Sequence, residues 1–237
     1  MKTLLRAAAV AVASTALVAG MTTSASAAPG DTGSASVQAQ TTALPGFATS
    51  KTTLISTTTR LNTPDSDSAY GLKATVRVNG KPVANRIPVN TFFQYQRAWG
   101  AGVVTLTNFT LSGHDVRPGQ PNYGYYTDQP IKGSSNAFRV RYGLEYRNGF
   151  QVRKSGKKLT FKVKLRYVNN RHKNVGIRKA KLQIKNGRKW KTVKNLKLKK
   201  NGTVKVKRSD KKKRIYRVTV KTTNTYQGGV YQTRSKI

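Results

Sequence analysis

The sequence predicts an all-β protein that consists of two antiparallel β-sandwich domains in tandem, preceded by a cleaved signal peptide. Three observations lead to this fold class: short runs that alternate apolar and polar residues, turn residues between these runs, and no helical period after the signal. Strict alternation buries one face of a strand and leaves the other face in water. The 237 residues leave room, after removal of a signal, for two domains of about 100 residues each.

The first 27 residues have the pattern of a secretory signal peptide. Lys2 and Arg6 give a positively charged start, Ala7–Met21 is apolar, and Ala25-Ser26-Ala27 offers the small residues that a signal peptidase needs. The apolar run is too short to span a bilayer, so we expect cleavage rather than anchoring. The mature protein is therefore predicted to be secreted and extracellular, with no membrane span; retention at the cell wall is an open alternative that rests on its charge. Since cysteine is absent, it forms no disulfide.

The next segments divide into a flexible N-terminal segment, residues 28–50, and an N-terminal β-sandwich domain, residues 51–150. Asn79-Gly80 lies between two apolar runs and predicts a tight turn. Residues 112–136 are rich in Gly, Pro and Asn and predict a long connection, which is a candidate functional loop. The predicted strands of this domain are Thr52–Thr58, Leu72–Val78, Ile87–Tyr95, Val103–Leu111 and Ala137–Tyr146.

Residues 151–237 predict a strongly basic β-sandwich of roughly seven strands, because their alternation is strict. Asn186-Gly187 and Asn201-Gly202 predict hairpin turns between the strands. The apolar members of the alternating runs are Leu159, Phe161, Val163, Leu165 and Tyr167; Ala180, Leu182 and Ile184; Leu196 and Leu198; Val204 and Val206; and Tyr216, Val218 and Val220.

Four stretches of this second half resemble, in order, the bacterial immunoglobulin-like repeat of exported Gram-positive proteins: Lys181–Lys185, Trp190–Lys194, Asn201–Thr203 and Ile215–Val218. The resemblance covers about residues 152–237 and implies an Ig-like sandwich with Trp190 in its core. Gly80–Val83 followed by Ile87–Val89 resembles part of the same repeat, more weakly, in the N-terminal half. Modules of this family serve as spacers, adhesion units and accessory domains, so the resemblance implies no particular activity.

Charge is the strongest functional indication in the sequence. Residues 151–237 hold 31 basic residues and one acidic residue, Asp210, whereas residues 28–150 hold 12 basic and 6 acidic residues. A run of charges is usually a solvated face balanced by opposite charges, but a module with one acid has no such balance. We predict that a polyanion is bound by Lys162, Lys164, Arg166, Lys181, Lys185, Lys197, Lys199, Lys205, Lys207, Lys211, Lys212, Lys213, Arg214 and Arg217.

The expected partners are anionic cell-wall polymers or other extracellular polyanions, because these are what an exported protein meets. If the outer faces of both sheets are basic, binding is tolerant and salt-sensitive, driven by relief of repulsion and counterion release. Sequence-specific nucleic-acid recognition is not expected, since it requires a shaped element that contacts base edges. The prediction is a non-catalytic binding or structural protein that adheres electrostatically to anionic polymers or the cell envelope.

An alternative is a carbohydrate-binding or hydrolytic N-terminal domain that the basic domain targets. Its candidate ligand loop contains Tyr123, Tyr125 and Tyr126, whose rings could stack on sugars, although covering the end of the sandwich is the more ordinary role. His114-Asp115 could act as a base with its carboxylate, but adjacent side chains usually point apart, and no nucleophile motif accompanies them. A membrane-active cationic toxin is a third alternative.

We predict no enzymatic activity, no catalytic residues, no metal site and no cofactor. Asp65-Ser66-Asp67-Ser68 lacks the glycine and the distal glutamate of a calcium loop and favours an ordinary turn. Glu145 is the only glutamate and is predicted to pair with a nearby arginine. His172 is predicted to be solvated in a basic turn, and Trp99 and Trp190 to be packing residues.

Overall fold

A computed structural model describes residues 34–46, 50–62, 68–115, 124–145, 149–233 and 237, without the side chains of residues 68–70 and 114–126. The predicted signal peptide lies outside the described residues. The described chain is almost entirely β-strand, which confirms the all-β prediction; its one helix is the 3-10 turn Arg97–Trp99. Within the described residues, no helix has the length and apolar character needed to cross a bilayer.

The described strands are numbered in chain order. Ten of them precede Gly143: β1 (Ser34–Ala39), β2 (Thr42–Leu44), β3 (Thr52–Asn62), β4 (Ser68–Val78), β5 (Lys81–Pro88), β6 (Phe92–Gln96), β7 (Gly102–Asp115), β8 (Gly124–Pro130), β9 (Lys132–Ser135) and β10 (Phe138–Tyr142). Nine follow it: β11 (Phe150–Ser155), β12 (Lys158–Lys164), β13 (Arg166–Val168), β14 (Asn174–Gly176), β15 (Lys179–Asn186), β16 (Lys189–Lys197), β17 (Thr203–Ser209), β18 (Tyr216–Val220) and β19 (Gly229–Gln232).

The first ten strands form two sheets around one hydrophobic cluster. One sheet has the order β6-β3-β1-β9, and the other has the order β2-β10-β7-β4-β5, with β8 paired to β7. The cluster contains residues from both sheets, among them the fully buried Val37, Val76, Tyr95 and Val140. The later strands pack around a second cluster, so the described residues form two cores, although all of them belong to one compact unit, residues 31–237.

The prediction of a flexible segment over residues 28–50 is wrong for the strands that it contains. β1 pairs antiparallel with β3 and parallel with β9, whereas β2 pairs parallel with β10, so the chain changes sheets between them. Ala35, Val37 and Ala39 point into the core and alternate with exposed or half-buried residues. The alternation is present in the sequence, but small alanines against serines give little contrast in hydrophobicity.

Two other predictions for the N-terminal half are also wrong. The run Ile87–Tyr95 is not one strand: β5 ends at Pro88, and β6 begins at Phe92 in the other sheet. Between them, the amide of Leu72 donates to Asn90 Oδ1 at 3.2 Å, which fixes the turn. The connection predicted over residues 112–136 is mostly strand, because β7 continues to Asp115 and β8 and β9 follow.

The alternation predicted for the second half is confirmed. Leu159, Phe161 and Val163 of β12 are buried, and the lysines between and after them are exposed. The strands form a three-stranded sheet β11-β12-β17, a four-stranded sheet β16-β15-β18-β19 and the small pair β13-β14. The inner faces of the two larger sheets contact each other, with the Phe161 and Tyr216 ring centroids 5.0 Å apart. The arrangement as two Ig-like sandwiches stays a prediction.

Of the three predicted turns, only Asn79-Gly80 is confirmed as placed. Both of its residues have positive φ, and Val78 pairs with Lys81 across it. The next hairpin turn is shifted by one residue to Gly187-Arg188, because Asn186 still pairs with Lys189. Asn201-Gly202 is not a hairpin turn, since the strands on either side of it, β16 and β17, lie in different sheets.

Substitution of Gly202 by alanine tests the tightest of these turns. Gly202 has a φ of 78°, and a Cβ atom there would lie 2.0 Å from the carbonyl oxygen of Leu165. We expect G202A to lower the free energy of unfolding by at least about 3 kcal/mol, because the strained φ and the backbone clash add. G187A is the matched control: Gly187 has a φ of 58° but open space around it, so its loss is limited to about 1–2 kcal/mol. Equal losses in urea unfolding would contradict the close approach at Gly202.

The two cores meet at three stacked tyrosines, Tyr142, Tyr167 and Tyr226. The ring centroids of Tyr142 and Tyr167 are 5.3 Å apart, and those of Tyr167 and Tyr226 are 5.5 Å apart. Burial raises the pKa of all three hydroxyls above the ordinary value for tyrosine. Backbone bonds join the same place, since the Tyr142 amide donates to the Thr225 carbonyl and the Tyr142 carbonyl accepts from the Gln227 amide, both at 2.9 Å.

A buried arginine that the sequence analysis did not single out also joins the two cores. Arg97 is only 1 % exposed, and its guanidinium donates to three backbone carbonyls: Ser50, Val168 (2.7 Å) and Pro45. Burial lowers the pKa of Arg97 below its ordinary value. Among the described residues, no carboxylate contacts this cation, and its hydrogen-bond partners are carbonyl oxygens.

Candidate polyanion-binding surface

The outer face of the three-stranded sheet carries four of the predicted cations, Lys162, Lys164, Lys205 and Lys207, and all four are exposed. Lys162 lies directly opposite Lys205 in the register of β12 and β17. Residues directly opposite each other on antiparallel strands share a face and interact, and like charges in such a pair repel. This face therefore concentrates positive charge with no acid among its described residues.

The outer face of the four-stranded sheet is basic as well. Lys181, Lys185 and Lys197 are exposed there, and Lys197 lies opposite the exposed Lys179. The turns add exposed lysines at four predicted positions, which are Lys199, Lys211, Lys212 and Lys213. The structure thus places eleven of the fourteen predicted cations in water, on both outer sheet faces and in turns.

Arg166 is not a free surface cation. Its guanidinium forms a two-point ion pair with Glu145, in which Nε contacts Oε2 and Nη2 contacts Oε1 at 3.2 Å. Its charge is already paired inside the protein, and its assignment to the polyanion site stays a prediction. The predicted pairing of Glu145 with an arginine is confirmed.

Arg214 is likewise engaged, by Asp210. Arg214 Nε lies 3.4 Å and Arg208 Nε 3.9 Å from Asp210 Oδ2, and the side chain of Asp210 is 9 % exposed. The Tyr216 hydroxyl donates to the same oxygen at 2.8 Å, and the Lys212 amide donates to Oδ1 at 3.0 Å. The single acid of the basic half is thus engaged within the protein, and the assignment of Arg214 to the polyanion site stays a prediction.

These contacts shift two pKa values at this site in opposite directions. Burial alone would raise the pKa of Asp210, but the hydrogen bonds from Tyr216 and Lys212 and the charges of Arg214 and Arg208 outweigh it and lower the pKa below the ordinary value. Burial, together with the hydrogen bond to Asp210, raises the pKa of Tyr216. Asp210 is therefore ionised, and Tyr216 neutral, across the physiological range.

Arg217, the last predicted cation, is half-buried and held by its neighbours. Its guanidinium carbon lies 4.0 Å from the centroid of the Trp190 ring, and its Nε donates to Gln183 Oε1 at 2.7 Å. Trp190 lies opposite Lys185 on the outer face of the sheet, so its placement in the core is wrong. Trp190 faces outward because its partner Lys185 follows the buried Ile184 on β15, and successive residues of a strand point to opposite faces.

The residues considered for an N-terminal active site or ligand loop are placed only in part. His114 and Asp115 belong to β7 rather than to a loop, and they pair in register with Tyr125 and Gly124 of β8. Tyr123 lies outside the described residues, and so do the side chains of His114, Asp115, Tyr125 and Tyr126. Residues 65–67 of the calcium-like stretch are likewise not described. Trp99 packs against the first core, with its ring 5.0 Å from Tyr95.

His172 is exposed in the turn that follows β13, where its amide donates to the Asn169 carbonyl at 3.1 Å. In the described part of the chain, no group of three or more histidine, aspartate or glutamate side chains is placed to hold a metal ion. The arrangement that remains is a set of exposed cations, one arginine fixed against an indole, and no acid left to balance them in the described second half.

Comparison with known proteins gives no family. No family model matches the chain, and no curated protein matches it. Among solved structures, a DUF3823 family protein from Bacteroides ovatus matches with a TM-score of 0.28 and 13% identity, over 86% of this chain and 96% of that one. A proposed carbohydrate-binding protein from Bacteroides uniformis matches with a TM-score of 0.23 and 12% identity, over 84% and 98%. At these scores the likeness carries no argument about fold or ligand.

Proposed function

We propose that this protein is a secreted, non-catalytic binding or structural protein that adheres electrostatically to anionic polymers of the cell envelope or its surroundings. The observation that carries the proposal is the unbalanced charge of residues 151–237. Eleven of the predicted cations are exposed there, and the one acid, Asp210, is already occupied by Arg208 and Arg214.

The physical driving force is the removal of this repulsion. Opposed lysines such as Lys162 and Lys205 raise the free energy of the isolated protein, more so at low salt. A polyanion neutralises them and releases its condensed counterions, and this gain scales with the number of groups neutralised. Because the charge lies on two outer faces and in turns, it supports tolerant adhesion rather than readout of a defined sequence.

Removal of three lysines from one face tests the proposal. K162Q/K205Q/K207Q, made in the full chain, should weaken binding to immobilised poly(glycerol phosphate). The slope of log K against log salt should become shallower by about 2, since each neutralised phosphate of a flexible polymer contributes roughly 0.7. Titrations across a salt series measure this slope.

The matched control removes three exposed lysines from the first half, K51Q/K81Q/K132Q, and should leave the slope nearly unchanged. If the two triple variants changed the salt slope equally, the basic half would have no special role in binding. Binding of the wild-type chain that does not weaken with salt would overturn the electrostatic proposal altogether.

A further inference from the structure

The outer face of the four-stranded sheet differs from the other basic face because it carries an aromatic ring. Trp190 on β16 is half-buried and lies opposite the exposed Lys185 on β15. On the outer face of the three-stranded sheet, the described residues are lysine, arginine, threonine, serine and glutamine, with no aromatic side chain. The two faces therefore offer different chemistry to an anionic polymer.

The guanidinium of Arg217 is fixed in place beside this ring. It stacks on the indole at 4.0 Å, and its Nε donates to Gln183 Oε1 at 2.7 Å. Gln183 is held in turn, because its Nε2 donates to Thr192 Oγ1 at 3.1 Å. This chain of contacts crosses three strands, β18, β15 and β16, so the orientation of the cation is set before any ligand arrives.

The hydrogen bonds of Arg217 leave its two terminal nitrogens for a ligand. Among the described residues, Nη1 and Nη2 have no hydrogen-bond partner, and no described carboxylate pairs with the guanidinium. A planar guanidinium held by its Nε presents its remaining donors as a fork that matches the two oxygens of a carboxylate. Lys185 supplies a second charge on the same face.

We propose that Trp190, Arg217, Gln183, Thr192 and Lys185, hereafter the Trp190 cluster, form a binding site for an acidic polysaccharide made of sugar rings that bear carboxylates. This inference rests on the proposed function and names the class of polyanion for one face. The Arg217 fork binds the carboxylate, and the apolar face of the sugar ring packs on the Trp190 side chain. A polymer without rings gains nothing from the indole.

The composition of the cluster favours a sugar polymer over single-stranded nucleic acid. Proteins that bind single strands stack successive bases on several aromatic side chains along a basic groove. Here one aromatic ring is available on the described outer faces of the second half, and the polar residues beside it are a glutamine and a threonine suited to hydroxyl groups. A single ring with one fixed cation matches one acidic sugar unit.

The test compares three polyanions and two variants in the full chain. Binding of an oligogalacturonate, of linear polyphosphate and of a single-stranded DNA oligonucleotide is measured at the same salt for wild type, W190A and R217K. R217K keeps the charge but loses the fork and the flat stacking surface. R153K, on the outer face without an aromatic residue, is the matched control. Thermal unfolding confirms that each variant is folded.

We expect W190A and R217K each to weaken oligogalacturonate binding roughly tenfold and to leave polyphosphate binding unchanged, with R153K like wild type for both. An equal loss of binding to both polymers, or no loss of oligogalacturonate binding, would overturn the site. In either case, polyphosphate binding by the wild type would still support the proposed function. A loss confined to a single-stranded DNA oligonucleotide would assign the cluster to nucleic acid instead. Failure of the wild type to bind either polymer would remove the proposed function and the site together.

Discussion

Replacement of Arg97 by methionine is expected to lower the free energy of unfolding by about 3–5 kcal/mol. The side chain is buried and supplies hydrogen bonds to the carbonyls of Ser50, Val168 and Pro45. Methionine fills similar volume but has no donor, so three carbonyls lose a partner in a place that water does not easily reach. Each buried acceptor left unsatisfied costs about 1–3 kcal/mol.

Urea unfolding measures the loss, followed by far-UV circular dichroism and, in a W190F background that leaves Trp99 as the one tryptophan, by fluorescence. R97K separates charge from geometry: it keeps the cation but cannot reach three carbonyls in one plane, and it should recover only part of the stability. R60M is the control on an exposed strand position, with an expected change within about 0.5 kcal/mol.

The same variant tests the coupling of the two cores. Arg97 belongs to the first half, and Val168 ends β13 in the second. If this bond helps the two halves to unfold together, the unfolding transitions of R97M followed by fluorescence and by circular dichroism should no longer coincide. A variant that is as stable as wild type, with coincident transitions, would contradict the role assigned to Arg97.

Arg97 also shows where inference from the sequence stops. Its three acceptors lie 47, 52 and 71 residues away, and no local pattern identifies an arginine as buried when its partners are backbone carbonyls. The alternation of β12 was readable because leucine, phenylalanine and valine contrast strongly with threonine and lysine. β1 has the same alternation in alanine and serine, and there the contrast is too weak to distinguish a strand from a flexible segment.

The candidate surface divides in the same way. Exposure of the lysines follows from strand period alone, because a residue between two buried neighbours on a strand points outward. The sequence does not reveal which cations are neutralised within the protein. Glu145 precedes Arg166 by 21 residues, and strand period does not select Arg208 and Arg214 from the several cations that lie near Asp210 in the sequence.

Asp210 is the point at which this charge distribution can be tested most directly. It is the one acidic residue in residues 151–237, and two arginines and two hydrogen-bond donors surround its buried carboxylate. D210N keeps the shape but removes the negative charge, which leaves Arg208 and Arg214 without a counterion. We expect the free energy of unfolding at pH 7 to fall by about 1–3 kcal/mol, because the carboxylate loses its charged hydrogen bonds while the partly exposed Arg208 and Arg214 keep contact with water.

The pH dependence gives the sign of the same effect. The pKa of Asp210 is lower in the folded protein than its ordinary value of 3.8, so the folded state favours the ionised form. Its contribution is present in full above the unfolded pKa and is lost as the pH falls through the folded pKa. Wild type should therefore lose stability below about pH 5, and D210N should show a smaller acid loss over that range.

D128N is the matched control, since it removes one acid with the same change in net charge. Hydrogen bonding and charge from Lys73 lower the pKa of Asp128, but its second partner, Arg86, is 71% exposed, so a smaller loss of stability is expected. Polyanion binding should not weaken in folded D210N, because the variant gains net positive charge. If D210N matches wild type both at pH 7 and in its acid profile, Asp210 does not neutralise the arginines of this region, and this account of its role is contradicted.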